Sequence, residues 1–248
     1  MRGLRELIVV QAKLFVREPV AFFFSLVFPA VLLYLLGSIL GDVSFSHGPG
    51  ETRFLDMEAP GFIALVIASV AFMSIPTAVA SMREQGVLRR LRATPLSPYV
   101  YILADVTVNY VMGLAGTILL IVVGYAAFGL TCQGSWGMLF VAFTASALAA
   151  YATGYIIASL ASTARMAQII GMVVYFPNLF LSGITFPQTF FPPGIQMLSD
   201  LMPLTHMVNL FQGIWFGRPW SEYGISLAVT LGIALVGMAV AVTLFRWE

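Results

Sequence analysis

The residues equipped for chemistry are few in this chain of 248, and their spacing argues against catalysis. There is one lysine, Lys13, and no glycine-rich turn leads into it, so a phosphate-cradling loop ending in Gly-Lys is absent and ATP hydrolysis by that route is excluded. One cysteine, Cys132, and two histidines form no ligand cluster, and no HExxH helix occurs, so a metal centre has no support. Ser182-Gly183 with His206 invites comparison with an intramembrane serine protease. Phe180, however, stands where a glycine two residues before the serine is expected, and His206 falls in a loop. Asp105 is the one acidic residue inside an apolar run, either an interfacial residue beside an arginine-rich loop or a proton relay. Any motor that moves this protein lies in another chain.

The elements that carry these residues are set by composition. Apolar residues make up 60% of the chain and charged residues 9%, far from a soluble domain, which excludes a soluble enzyme, a nucleic-acid binder and a disordered regulator. A net charge of +1 attracts neither nucleic acid nor acidic substrates. Six continuously apolar segments are each long enough to span a bilayer: Val20–Leu40, Ala59–Ser81, Val100–Phe128, Trp136–Ala161, Ala167–Ile184 and Tyr223–Phe245. Continuous rather than alternating apolarity selects helices over a β-barrel. The first run starts only at Val20 and is followed by further spans, which is read against a cleaved secretory signal. Ten of the twelve basic residues fall on one side of these spans, with Arg53 and Arg218 on the other. The positive-inside rule then places both termini in the cytoplasm, and 42–58, 129–135 and 185–222 outside.

Three stretches between or before the spans are informative. Residues 2–18 segregate Arg2, Arg5, Glu6, Lys13 and Arg17 from Leu4, Leu7, Ile8, Leu14 and Phe15 at helical spacing, the pattern of a helix lying in the cytoplasmic interface; a charged flank that merely fixes topology is the plainer alternative. Arg83–Pro98 holds four arginines, an apolar pair at Leu88 and Leu91, and a stop at Pro95 and Pro98. It is either a solvated basic loop or a short amphipathic helix presented to a cytoplasmic partner. Thr185–His206 is too apolar for water, with Phe186, Phe190 and Phe191 leading it, and is expected to form short re-entrant or interfacial helices. Trp215, Phe216 and Trp220 read as an aromatic belt before the last span.

Packing signals complete the reading. Gly37 with Gly41, and Ala145, Ala149 and Thr153 beside Ser146, Ala150 and Gly154, form small-residue faces for close helix contact. Pro29, Pro76 and Pro177 interrupt spans one, two and five. Met73 and Pro76 on span two, with Tyr175, Asn178 and Ser182 on span five, are the candidate lining of a substrate pathway, although a buried Asn also serves as an interhelical hydrogen-bond partner. The fold expected is all-α integral membrane: six transmembrane helices, an N-terminal amphipathic interfacial helix over 1–19, and an outer re-entrant helical hairpin between spans five and six, with 20–248 forming the membrane domain.

Over essentially its full length the chain resembles a permease subunit of the ABC-2 type of ATP-binding-cassette exporters. The resemblance rests on LFVREP (Leu14–Pro19), on REQGVLRRLRATPLSP after span two, and on the segment Leu181–Gly217 between spans five and six. The middle stretch is similar to the family pattern Glu-x-Gly-x-Leu-x-x-Leu-x-x-Thr-Pro-Leu, met by Glu84, Gly86, Leu88, Leu91, Thr94, Pro95 and Leu96. The resemblance implies that Glu84 to Pro95 dock an ABC ATPase subunit, and that two permeases, identical or sibling, pair around a pathway. It also implies that span five and the outer hairpin, with Phe186, Phe190 and Phe191, form dimer contacts and an outer gate. ATP and Mg would be bound by the partner ATPase, with no cofactor in this chain. The expected cargo is hydrophobic or amphipathic: a drug, natural product, lipid or lipid-linked glycan. A self-sufficient ion-coupled carrier or channel, and a non-transporting scaffold, are the rival classes.

Overall fold

A computed structural model describes residues 2–17, 22–41, 43–47, 50–92, 98–184, 188 and 191–244. Helices dominate. The N-terminal helix α1 (Arg2–Arg17) packs along α6. A π-helical turn (Phe23–Val27) leads into α2 (Phe28–Leu40). A short antiparallel hairpin, β1 (Ser44–His47) and β2 (Gly50–Arg53), pairs Ser44 with Arg53. Then α3 (Phe54–Ser69), a second π turn (Val70–Ser74) and α4 (Ile75–Glu84) run as one long helical rod. The short α5 (Val87–Arg92) precedes α6 (Pro98–Phe128). Four helices follow: α7 (Trp136–Leu160), α8 (Ala164–Leu181), α9 (Pro193–Asp200) and α10 (Pro203–Trp215). The described chain closes with α11 (Trp220–Leu244).

Among the described residues five helical segments are long and apolar enough to cross a membrane: Phe54–Glu84, Val100–Phe128, Trp136–Leu160, Ala164–Leu181 and Trp220–Leu244. Ser25–Leu40 is apolar but shorter, and residues 18–21 at the expected start of span one lie outside the described residues. The rod α3–α4 is the centre of the bundle. It is apolar all round, 83% of its most apolar window is buried, and it contacts α2, α6, α7, α8 and α10. By contrast α6, α8 and α11 bury only 22–28% of theirs and turn most of their apolar surface outward.

Both π turns have the same cause. Pro29 and Pro76 each lack the N–H that would bond the carbonyl four residues earlier, on Ser25 and Phe72, and the wider turn takes up the mismatch. A glycine of another helix lies against each of those carbonyls, Gly116 at Ser25 and Gly171 at Phe72, while Gly154 lies against the neighbouring carbonyl of Ala71. At Gly154 and Gly171 a Cβ would collide with the oxygen. Ser25 and Ser74, one in each π turn, share a hydrogen bond of 3.1 Å. The small residues expected at close contacts are therefore spent within one protomer: Gly154 on the rod, and Gly37 against the ring of Phe128.

Several expected boundaries move. Span two begins at Phe54, not Ala59, so Asp56 and Glu58 belong to the helix and are buried rather than lying in an outer loop. Arg53 makes this tolerable for Asp56: its Nε donates to Asp56 Oδ2 at 2.9 Å, and its two terminal nitrogens donate to the Phe128 and Gly129 carbonyls at the end of α6. The guanidinium thus closes one helix and neutralises a side chain of the next. Trp215 does not sit in an exposed belt. It is fully buried under Trp136, and its carbonyl accepts from the backbone of Gln133 and Gly134. Span five starts three residues early because Thr163 caps α8, its Oγ1 accepting from Met166 N.

Candidate functional site

The chain entering α5 and the start of α6 are knitted to the rest of the same end of the bundle. Arg83, in the last turn of α4, donates to the carbonyls of Ala158 (3.0 Å) and Ala161 (2.8 Å), where α7 ends. The adjacent Glu84 accepts from the backbone of Ala164, the first residue of α8, at 3.1 Å, placing a carboxylate on the positive end of that helix. Gly86 then takes φ +69°, a left-handed conformation that ends α4 and turns the chain into α5. Leu88 is completely buried, facing the protein and not solvent, while Arg90 is exposed. The side chain of Leu91 and all of Thr94 and Pro95 lie outside the described residues.

Where α6 emerges from this segment, a second set of bonds fastens it. Tyr101 donates to Met82 Sδ at 3.1 Å, joining the start of α6 to α4. Asp105, expected as an interfacial residue or a proton relay, is buried at 5% exposure; the Tyr155 hydroxyl donates to its Oδ2. One turn on, the Tyr151 hydroxyl donates to the Asn109 carbonyl, and Asn109 Nδ2 to the Asp105 carbonyl. These contacts tie α4, α6, α7 and the start of α8 together around α5.

The candidate pathway residues face the protomer's own interior. Pro76, Tyr175, Asn178 and Ser182 are buried and Met73 is half-buried. Asn178 joins helices: its Nδ2 donates to the Val174 carbonyl, and its Oδ1 accepts from Leu204 N at 3.4 Å in the first turn of α10. Ser182 donates to the Leu179 carbonyl of its own helix. Of the expected outer-gate residues, Phe191 is half-buried just before α9, and Phe186 and Phe190 lie outside the described residues. The helix α10 packs into the bundle against α3, α7, α8 and α11.

Two features escaped sequence reasoning. The outward face of α8 is a continuous apolar stripe of Ile169, Val173, Phe176 and Phe180, spaced four, three and four residues apart. That spacing is visible in the sequence, but nothing in it tells an outward apolar face from an inward one. The other is Glu58, 4% exposed on α3, whose carboxylate meets no hydrogen bond or ion pair among the described residues.

The sequence profile described as "ABC-2 type transporter" matches residues 3–216. The chain is similar to a protein of Escherichia coli strain K12 described as the probable multidrug ABC transporter permease YbhR, 24% identical over 156 residues. That match covers 63% of this chain and 42% of YbhR, so the chain spans less than half of that relative's length. Nodulation protein J of Rhizobium leguminosarum bv. viciae is 26% identical over 221 residues, 88% of this chain and 83% of that protein. The inner membrane transport permease YadH of E. coli K12 is 26% identical over 215 residues, 86% of this chain and 79% of YadH.

Proposed function

The chain belongs to the ABC-2 type transporter family, and on that premise we propose that it is the permease subunit of an ATP-driven exporter whose ATPase is a separate chain. The observation that carries this reading is the knot around α5. A helix of six residues, packed on the end of the rod with Leu88 buried and preceded by bonds from Arg83 and Glu84 to the α7–α8 turn, forms a stiff platform at one end of the bundle. A stiff platform is what a lever needs if a push from outside the chain is to reach the membrane helices.

In this reading α5 docks the ATPase, which binds ATP and Mg, and its end of the bundle faces the cytoplasm with both termini. Ser25–Leu40, extended by the residues before it, is the first of six spans. Closure of an ATPase pair pushes the knot, and the π turns of α2 and of the rod, where backbone bonding is already interrupted, take up the motion. Two permease copies pair through the Ile169–Phe180 stripe of α8, and the pathway runs along that seam. The α9–α10 hairpin and Phe186, Phe190 and Phe191 close it on the far side. An apolar seam of this kind suits amphipathic cargo, and the relatives described as multidrug and transport permeases fit that class. The carrier alternative needs a buried carboxylate free to cycle; Asp105, held by Tyr155, is spent on packing α6 to α7.

The test is site-directed crosslinking in native membranes, in a Cys132→Ser background. Arg90→Cys should join the chain to an ATPase subunit, and Phe176→Cys should join two permease copies. Crosslinks from Phe176 to no second permease, or from Arg90 to lipid only, would contradict the arrangement.

A further inference from the structure

At the end of the bundle away from α5, two clefts of about 300 Å³ each flank the seam between α10 and α11. The first is apolar, walled by Met138 and Val141 of α7, Leu210 and Ile214 of α10, and Trp220 and Leu227 of α11. The second is polar, walled by Asn209, Gln212, Arg218 and Glu222. Tyr223 lines both. Its ring is set firmly: Gly213 leaves the space it fills, and Trp220 packs edge-on against it at 5.3 Å between centroids.

We propose that this seam binds one glycerophospholipid whose headgroup carries both a phosphate and an amine, with an acyl chain in the apolar cleft. Depth supports the assignment. The spanning segments α7 and α11 begin at Trp136 and Trp220, so the apolar cleft lies in their first turns, where a lipid's upper chain runs beneath its headgroup. Charge selects the headgroup. Arg218 and Glu222 stand 3.7 Å apart and are each about half exposed, a loose pair with most of its hydrogen-bonding capacity unused. The Arg218 guanidinium lies over the Phe216 ring at 5.7 Å, which orients its N–H groups for a phosphate. Glu222 one turn on is placed for an ammonium. A purely anionic headgroup would meet Glu222 as a like charge, and an uncharged one would leave both residues unused.

Binding is read on the full chain in lipid nanodiscs through quenching of Trp220 by lipids brominated along the acyl chain, with Trp220→Phe as the blank. Brominated phosphatidylethanolamine should quench Trp220 at several-fold lower mole fraction than brominated phosphatidylglycerol. The double variant R218Q/E222Q should erase that preference while the protein stays monodisperse. Gly137 also lines the apolar cleft, and a Cβ there would meet only Ser135 Oγ at an ordinary contact distance of 3.6 Å, so Gly137→Leu fills the cleft without straining the fold and should remove the quenching. Equal quenching by both lipids, or quenching that survives Gly137→Leu, would mean ordinary boundary lipid and overturn the proposal. The outcome does not depend on an ATPase, so this inference and the exporter reading can fail separately.

Discussion

Two buried carboxylates in adjacent helices have opposite circumstances. Asp105 has a donor in Tyr155, while Glu58 has none among the described residues. Removing a donor from a buried acceptor costs about 1–3 kcal/mol. Tyr155→Phe should therefore lower the melting temperature of the detergent-solubilised chain, and Asp105→Asn, which keeps an acceptor for the hydroxyl, should lower it less. Equal melting of wild type and Tyr155→Phe would show that the bond contributes nothing. At Glu58 the sign reverses. Glu58→Gln deletes an unpaired buried acid and should stabilise by about 1 kcal/mol, or about 2–4 °C in a chain of this size. Neither residue's surroundings could be read in sequence. Asp105 stood out as a charge in an apolar run, but its partner lies 50 positions away. Glu58 reads as part of a polar loop because Glu51, Asp56 and Arg53 surround it, while the bonds of Arg53 to the end of α6 and of Thr131 N to Asp56 fasten that segment to the bundle.

Among the elements, the apolar runs were legible because lipid leaves the backbone no partner but itself, so each run had to be a helix. The π turns were legible only as prolines. What makes Pro29 and Pro76 tolerable is a glycine contributed by another helix, and no local pattern reveals which one. That dependence is testable by comparing glycines. Gly171→Ala forces a methyl onto the Phe72 carbonyl, the one Pro76 leaves unbonded, and should destabilise by about 1–3 kcal/mol. Gly232→Ala, on α11 with nothing within 4 Å of the added atom, should be neutral or stabilise by up to about 1 kcal/mol. Similar melting shifts for the two would refute the packing account. The β1–β2 hairpin escaped prediction because four-residue strands carry too little alternation to register beside long apolar runs.

For the whole molecule, the candidate pathway residues of span five lie inside one protomer, where Asn178 joins α8 to α10 and Ser182 bonds the Leu179 carbonyl of its own helix. The outward face of the same helix is the apolar stripe on which a second copy is proposed to pair. One chain's sequence does not separate an inward face from a face that meets another copy, because both are apolar. The segment proposed to dock the ATPase stands out more plainly, since its arginines, its Glu-x-Gly turn and its prolines interrupt the apolar pattern. Severing the knot should uncouple rather than unfold the transporter. Arg83→Ala with Glu84→Gln frees the α7–α8 turn and should raise the ATP hydrolysed per cargo moved several-fold, while the purified complex stays intact. An unchanged ratio would deny the knot its lever role.

The central claim is that this permease works with a separate ATPase docked on α5. The direct measurement is gentle purification of the tagged full chain from its native membranes, with mass spectrometry of stoichiometric partners and an ATP hydrolysis assay in lipid. The account predicts a co-purifying ABC ATPase, hydrolysis in the complex, and loss of both on Leu91→Asp. A pure, folded permease with no ATPase partner and no hydrolysis across several mild detergents would contradict it.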